Sequence, residues 1–260
     1  MSILSALPSE PLPAKWRDGA DYPEVDQVIR EITSSWSVSP EAARAVAHMV
    51  VTERRTGVLE FGAGGSSRVF AAALERIGGG RLTSLEEAPQ WSAQAWRHVE
   101  ASPHVDAKLI PASVRLTADR GGVYFGYRQL EEVLARGPYD FVFIDAPAGP
   151  YGRDGALRAA FEALAPGALI VLDDARRARE QRTVRRWLLA YPELRLVAND
   201  PSIGRGLAVL EKMSEPQHRI AGVGASSTIW LTALYDMLRS PRGIHRHRRR
   251  KKRAERASRK

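Results

Sequence analysis

Short apolar segments alternate with longer segments of helical periodicity along most of the chain. Their spacing is that of β-α-β units, and the central apolar segments have no polar face, which predicts parallel strands buried on both sides. The last two segments are separated by PSIGRG with no helix between them, which predicts an antiparallel pair. The predicted strands are GVLEF, RLTSLE, AKLIPAS, DFVFIDAP, ALIVLDDA, LRLVAND and GLAVLEK.

The segments between these strands predict helices. The first, SVSPEAARAVAHMVVTE from Ser37, has a start signal in which Ser39 caps the helix and Pro40 takes its first position. The other predicted helices are SSRVFAAALERI, APQWSAQAWRHVEAS, YRQLEEVLARG, DGALRAAFEALAPG and EQRTVRRWLLAYP. The fold class that follows is α/β: a doubly wound, mostly parallel, seven-stranded Rossmann-like sheet with a C-terminal antiparallel strand pair, in a single domain plus a basic tail.

Changes in composition divide the chain into four segments. Residues 1–36 are predicted to be an N-terminal lead-in, which is rich in proline and polar residues and mobile up to about residue 20. Residues 37–211 form the Rossmann-like domain. Residues 212–241 form a C-terminal amphipathic helix region, and residues 242–260 a disordered polybasic tail.

The basic charge is concentrated in the tail. The whole chain has 39 Lys and Arg against 30 Asp and Glu, a net charge of +9. Residues 242–260 hold eleven of the basic residues and one acid, Glu255, so the rest of the chain is close to neutral at −1. Three uses of the tail stay open: binding of RNA or DNA phosphates, binding of an anionic membrane surface, and solubility alone.

The segment before the tail, GASSTIWLTALYDMLRS, has helical periodicity. One interpretation is a helix that packs on the domain or on a second subunit. The other is an amphipathic helix that, with the basic tail, attaches the protein to a membrane surface, whereas Asp236 argues against a spanning helix. The apolar residues of the segment are Trp230, Leu231, Leu234, Met237 and Leu238.

The stretch VLEFGAGGSS, residues 58–67, ends a buried strand with the carboxylate of Glu60 and continues with glycines and serines. Gly62 and Gly64 permit a tight turn and a close approach of the backbone to a ligand. The following GSS begins a helix whose free N–H groups face the same point. The alternative is a turn with a structural role alone.

Acids end four of the predicted strands, and because the carboxyl ends of parallel strands meet at one edge, they converge on one crevice. These acids are Glu60, Glu86, Asp145 and the pair Asp173 and Asp174. Glu86 lies where an acid binds ribose hydroxyls in nucleotide-binding folds. A dinucleotide is disfavoured, because Ser67 stands where the G-x-G-x-x-G pattern needs Gly or Ala, and because Glu60 is a poor neighbour for a pyrophosphate and a good one for a cation.

These motifs resemble the class I S-adenosylmethionine-dependent methyltransferases, and most closely a group of small O-methyltransferase-like proteins. EFGAGGSS is similar to their first motif, SLEEAPQW to the ribose motif, YDFVFIDAP to the fourth motif and LAPGALIVLDDA to the L-x-P-G-G segment, in which Ala168 replaces the second glycine. The resemblance covers about residues 37–211. It implies an S-adenosylmethionine site formed by Glu60, Gly62, Gly64, Ser66, Ser67, Glu86 and Asp145.

Two catalytic designs fit this resemblance. In the first, Asp145, Asp173 and Asp174 bind Mg²⁺ or another divalent cation, which lowers the pKa of an acceptor hydroxyl. Related catechol-type enzymes also have a lysine base, but its position here is Ala148. In the second design there is no metal, and Asp145 or Asp173 is the catalytic base or orients the acceptor. Asp174 is alternatively a helix N-cap, and Asp173 a strand-end hydrogen-bond acceptor.

Several residues outside these motifs have both a functional and a structural interpretation. GPYGRD, residues 149–154, is either a loop over the crevice, with Arg153 or Tyr151 on the acceptor, or a solvent-exposed loop. Tyr124 and Tyr127 either line the acceptor pocket or belong to the core, and Trp36 has the same two interpretations.

The sequence therefore predicts an S-adenosylmethionine-dependent methyltransferase that acts on a hydroxyl of a small molecule or glycan. The alternatives are an RNA methyltransferase that holds its substrate with the basic tail, and a non-catalytic binding protein tethered by that tail. The absence of cysteine fits a reducing compartment, and no signal peptide is recognisable, so a cytoplasmic location is expected, with peripheral membrane association open through the tail.

Overall fold

A computed structural model describes residues 7–32, 38–119, 122–128, 130–147, 151–214 and 223–238. The strands are β1 (Gly57–Phe61), β2 (Gly80–Glu86), β3 (Val105–Pro111), β4 (Val114–Asp119), β5 (Gly122–Tyr127), β6 (Tyr139–Ile144), β7 (Leu164–Leu172), β8 (Leu194–Asp200) and β9 (Leu207–Lys212). The helices are α1 (Ala14–Arg17), α2 (Pro23–Glu31), α3 (Pro40–Thr52), α4 (Gly65–Arg76), α5 (Pro89–Glu100), α6 (Leu130–Ala135), α7 (Asp154–Ala160), α8 (Ala178–Ala190) and α9 (Val223–Leu238), and a 3₁₀ turn spans Phe161–Ala163.

The main sheet has the order β3-β2-β1-β6-β7-β9-β8 within the described part of the chain. The five strands from β3 to β7 are parallel, whereas β9 is antiparallel to both β7 and β8. This confirms the predicted seven-stranded, mostly parallel sheet and its antiparallel pair. The strand order reverses between β1 and β6, so the crevice for a ligand lies at the carboxyl ends of these two neighbours.

Both faces of the sheet are buried, as the apolar strands predict. Phe141 and Phe143 of β6 pack on Phe70 of α4, with ring centroids 5.7 and 5.5 Å apart. Their neighbours Val142 and Ile144 face the opposite layer. Burial on two faces fixes the register of β6, and with it the position of Asp145 at the strand end.

The N-terminal residues differ from the expected mobile segment. Residues 7–32 form α1 and α2, and the side chains of Leu12 and Trp16 lie in the core. Glu10 pairs with Asn199 at the edge of the sheet. The prediction missed this because isolated apolar residues between prolines have no periodicity. The start signal of α3 is confirmed in part, since the Ser39 hydroxyl accepts from the N–H of Ala42, while Ser37 lies outside the described residues.

A β-hairpin, β4 and β5, stands where the sequence predicted no strands. The helix predicted from Tyr127 begins only at Leu130, and Tyr127 ends β5 instead. The segment VYFGY is aromatic and β-prone, and this local preference favours a strand. The hairpin packs closely on α7, because a Cβ on Gly155 would lie 2.1 Å from the carbonyl oxygen of Phe125.

Helix α9 packs on the domain through the face opposite to the predicted one. Its inner face is buried and contains Ile229, Thr232, Ala233 and Asp236. The apolar residues that the sequence analysis singled out are largely exposed: Trp230 is 38% exposed, Leu234 40%, and Leu231 and Leu238 67% each, while the side chain of Met237 is outside the described set. None of the helices among the described residues is both long and apolar enough to cross a bilayer.

Candidate active site

The glycine loop between β1 and α4 is shaped by close contact beneath it and open space above it. Gly62 has φ +101°, and a Cβ there would lie 2.9 Å from the Cβ of Ala146, so this position requires glycine. Gly64 has nothing within 4 Å of the place a Cβ would take. The loop therefore offers an uncovered backbone at the strand order reversal, beside the N-terminus of α4.

Glu60 lies beneath this loop and is completely buried. Its carboxylate accepts three hydroxyl hydrogen bonds, from Ser66 at 2.5 Å, Ser67 at 2.6 Å and Ser84 at 2.5 Å. The hydroxyl of Ser67 in turn accepts from the N–H of Gly64 at 2.9 Å. Glu60 thus links β1, β2 and the start of α4, which makes it a residue that positions the loop rather than one that faces a ligand.

The charge state of Glu60 depends on pH in the neutral range. Burial raises the pKa of Glu60 to about 7, against the hydrogen bonds from the three serines, which lower it. A carboxylate with three hydroxyl donors is well solvated by the protein when ionised. When it is protonated, one of these hydroxyls has to turn and accept.

Glu86, at the end of β2, reaches the same crevice from the neighbouring strand. Its carboxylate accepts from the N–H of Ala88 at 2.7 Å, which fixes the turn before α5. Tyr127 of the hairpin lies nearby, with its ring 5.1 Å from that of Phe61. The hydroxyl of Tyr127 is buried without a hydrogen-bond partner and lies within electrostatic reach of Glu86 and Asp145, and burial raises its pKa. A buried donor of this kind is costly unless a ligand satisfies it.

Three carboxylates meet at the ends of β6 and β7. Asp145 and Asp173 are held side by side because their N–H groups continue the strand ladder, to Phe61 O at 3.0 Å and to Ile144 O at 3.1 Å. Oxygen atoms of Asp145, Asp173 and Asp174 lie within 4.8 Å of one another. Asp173 and Asp174 are buried, whereas the side chain of Asp145 is 19% exposed and forms the open edge of the cluster.

Arginines from different parts of the chain pair with these carboxylates, among them Arg153 and Arg205. Arg153, at the start of α7, places one guanidinium nitrogen 2.5 Å from Asp145 and 2.6 Å from Asp174, and donates with the other to the carbonyl of Asp173. Arg205, from the turn between β8 and β9, lies 2.6 Å from Asp174 and 3.3 Å from Asp173. Sequence reasoning missed Arg205, and its only signal was a cation in the short PSIGRG turn.

Burial and neighbouring charges both act on the pKa of Asp145. Burial raises its pKa to about 7 although the charge of Arg153 opposes the shift. A partly exposed carboxylate with a pKa near neutrality has the properties of a general base. The backbone of Asp174 is in the left-handed region at φ +57°, which is unusual for a residue other than glycine.

The structure revises several of the alternative interpretations. Asp174 is not the N-cap of α8, because Arg177 precedes the first residue of that helix. Arg153 and Tyr151 are buried, so they do not belong to a solvent-exposed loop. Tyr124 and Tyr151 both line one pocket, and Gly152 and Asp154, which flank Arg153 in the sequence, line it as well. Trp36, Ala148, Gly149 and Pro150 lie outside the described residues.

Comparison with known proteins identifies the domain that holds this site. Residues 59–175 match a family model described as a methyltransferase domain, and they span the glycine loop, Glu86 and all three aspartates. By this match residues 59–175 form a methyltransferase domain, as the motifs of the sequence predicted. The resemblance of its motifs to the class I S-adenosylmethionine-dependent methyltransferases is thereby confirmed.

Solved structures share the methyltransferase fold at low sequence identity. A protein from Klebsiella pneumoniae, provisionally assigned as an O-methyltransferase, is 18% identical with a TM-score of 0.50, over 75% of this chain and 92% of that one. An O-methyltransferase from Bacillus cereus in complex with S-adenosylhomocysteine is 18% identical (TM-score 0.49; 78% and 92% covered). The O-methyltransferase TomG from Streptomyces achromogenes is 17% identical (TM-score 0.48; 79% and 92% covered). No curated protein matches the sequence significantly.

Proposed function

We propose that this methyltransferase transfers the methyl group of S-adenosylmethionine to a hydroxyl of a small molecule or glycan. The observation that carries the proposal is the crevice at the ends of β1 and β6, where an open glycine loop, Glu86 and Asp145 lie on adjacent strands. Outside residues 242–260 the chain is close to neutral, which favours a small acceptor over a nucleic acid.

The residues of the crevice fit the cofactor. The space above Gly64 accommodates a ligand against the backbone, and the partly buried Glu86 supplies an acceptor for ribose hydroxyls. The unpartnered hydroxyl of Tyr127 offers a donor in the same region. Glu60, Ser66 and Ser67 act from below by holding the loop in this shape.

Asp145 is the residue that best fits the role of base. When bound, the cofactor supplies an electrophilic methyl group on sulfur, and the chain has to align the acceptor oxygen and remove its proton. Asp145 is the exposed member of its cluster, and Arg153 fixes its orientation. The proton of the acceptor hydroxyl passes to Asp145, while the buried Asp173 acts by holding Arg205. The metal-assisted design is not part of this proposal, because a guanidinium already stands among the carboxylates.

The first test is calorimetric titration of the full-length protein with S-adenosylhomocysteine. We expect micromolar binding, which Glu86→Ala weakens by about tenfold or more through the loss of its hydrogen bonds. Tyr127→Phe is the matched variant for the orphaned hydroxyl and should weaken binding by less than Glu86→Ala. Absence of binding by the wild type would remove the support for a cofactor at the glycine loop.

A second proposal concerns attachment of the enzyme to an anionic membrane surface. Trp230, Leu231, Leu234, Tyr235 and Leu238 form one exposed face of α9, and eleven Lys and Arg follow within residues 242–260. An exposed apolar face next to a polybasic segment provides the two signals that stable membrane association needs. The positive charge of the tail would suit either a membrane or RNA. The exposed apolar face beside it favours the membrane. The RNA methyltransferase and the non-catalytic protein gain no such observation from the described residues.

Cosedimentation with vesicles tests the membrane proposal. Full-length protein is expected to bind vesicles that contain phosphatidylserine and to lose at least tenfold in affinity when residues 242–260 are removed or when Leu231 and Leu238 are both changed to serine. Vesicles of phosphatidylcholine alone are the control for the electrostatic part. A truncated protein that binds vesicles as well as the full-length protein would contradict the proposal. If the full-length protein does not bind vesicles but shifts RNA in a gel, and the shift requires residues 242–260, the tail binds RNA instead.

A further inference from the structure

Arg153 occupies the centre of the carboxylate cluster rather than its rim. A single guanidinium nitrogen lies within 2.5 to 2.6 Å of oxygens from Asp145 and Asp174, and the same side chain reaches the backbone of Asp173. Arg153 is only 2% exposed. Arg205 and Arg177 add two more cations to Asp174, at 2.6 and 2.8 Å, so the three carboxylates are balanced by three guanidinium groups.

A divalent cation does not fit this arrangement. Mg²⁺ and Mn²⁺ require carboxylate oxygens at about 2.0–2.2 Å, and the oxygens that face one another here are already donated to by Arg153. An ion that used them would stand next to a buried guanidinium, and the repulsion between the two charges is strong where solvent is excluded. Metal binding would therefore require Arg153 to leave the cluster.

The residues that follow Arg153 are held in place by their own contacts. Its neighbour Asp154 accepts from Arg186 through its side chain at 3.3 Å and from the indole of Trp187 through its carbonyl at 3.1 Å. The next residue, Gly155, lies directly against the hairpin. The backbone that carries Arg153 is thus fastened to α8 and to β5, and its side chain is directed inward from a fixed base.

We infer that the Arg153 guanidinium takes the place of the divalent cation in this acidic cluster, so that methyl transfer by this chain is independent of metal. The inference rests on the proposed function and specifies it: Arg153 is the fixed cation that orients Asp145 at the acceptor side of the crevice. It replaces, as a proposal, the metal site that the sequence suggested at Asp145, Asp173 and Asp174.

Electron paramagnetic resonance of Mn²⁺, added to the full-length protein, tests this inference without an acceptor. The wild type is expected not to reduce the signal of free Mn²⁺ up to about 1 mM. Arg153→Ala exposes the carboxylates and is expected to bind Mn²⁺ at least tenfold more tightly than the wild type, and Asp174→Asn in that background should reverse the gain. Arg153→Lys keeps the positive charge and should exclude Mn²⁺ as the wild type does.

The outcomes separate this inference from the proposed function. Mn²⁺ binding by the wild type that Asp174→Asn abolishes would overturn the inference, and so would a folded Arg153→Ala variant that gains no binding. If Arg153→Ala does not fold, the wild type with its Asp174→Asn control decides alone. Binding of S-adenosylhomocysteine is measured in parallel with EDTA and with Mg²⁺ and is expected to be equal. If S-adenosylhomocysteine binds under neither condition, the proposed function is contradicted, whereas the conclusion from the Mn²⁺ measurement is unaffected.

Discussion

Replacement of Glu60 by alanine is expected to abolish S-adenosylhomocysteine binding and to lower the free energy of unfolding by about 3 kcal/mol or more. The carboxylate is the common acceptor for Ser66, Ser67 and Ser84, all of them buried. Without it, three buried hydroxyls lose their partner, and each such group costs about 1–3 kcal/mol. The glycine loop also loses its anchor, because the N–H of Gly64 is held through Ser67.

The free energy of unfolding of the wild type is also expected to depend on pH through the titration of Glu60. The pKa of Glu60 is raised from 4.5 to about 7, so the folded state keeps a proton that the unfolded state has already released between these values. The proton on Glu60 therefore stabilises the folded state. This contribution is fully present below about pH 4.5 and is lost as the pH rises through about 7, by about 3 kcal/mol in total. Glu60→Gln has a similar shape and no charge, so it should be free of this loss.

Chemical denaturation of both proteins at pH 5 and at pH 8 measures the effect. The free energy of unfolding of Glu60→Gln relative to that of the wild type is expected to rise by about 2.5 kcal/mol between the two pH values. Other titrating groups are present in both proteins and largely cancel in this difference. A difference that does not change with pH would show that the three serines hold Glu60 ionised throughout. Glu60→Ala that binds S-adenosylhomocysteine as the wild type does would contradict the positioning role.

The sheet and its strand-end acids were predictable from the sequence because both depend on local information. A run such as DFVFI can be buried on two faces only in the centre of a sheet, and the acid after it is then placed by the strand direction. Glu60, Glu86, Asp145 and Asp173 are brought to one edge of the sheet in this way. Sequence reasoning did not predict that Glu60 would lie below the loop, because burial depends on the serines around it.

The contacts of the cluster could not be predicted, because they join residues far apart in the sequence. Arg153 and Arg205 are two of 39 basic residues, and no periodicity distinguishes them from solvated ones. Their partners become apparent only when the start of α7 and the turn after β8 are placed beside β7. The buried face of α9 was not predicted for a related reason. Asp236 is buried there in ion pairs, and the larger apolar residues of the helix are exposed.

Replacement of Asp236 by alanine is therefore expected to release α9 from the domain. Asp236 is 4% exposed and accepts from Arg182 at 2.9 Å and from Arg186 at 2.8 Å. Arg186 is itself buried, and removal of one partner from a buried ion pair costs about 3–5 kcal/mol. Arg186 keeps Asp154 as a second carboxylate partner at 3.3 Å, so we expect a loss at the lower end of this range. The buried apolar residues on the same face are Ile229 and Ala233.

Hydrogen exchange followed by mass spectrometry reports the release of α9 directly. In Asp236→Ala, amides of residues 223–238 are expected to exchange at least tenfold faster, and those of β5 should follow because α9 covers that strand. Leu231→Ser, on the exposed face of the same helix, is the matched control and should leave exchange unchanged. Asp236→Asn keeps the size of the side chain, so its exchange rates are expected to lie between those of Asp236→Ala and Leu231→Ser. Unchanged protection of residues 223–238 in Asp236→Ala would mean that apolar packing alone holds the helix, and that the buried ion pairs with Arg182 and Arg186 contribute little to its docking.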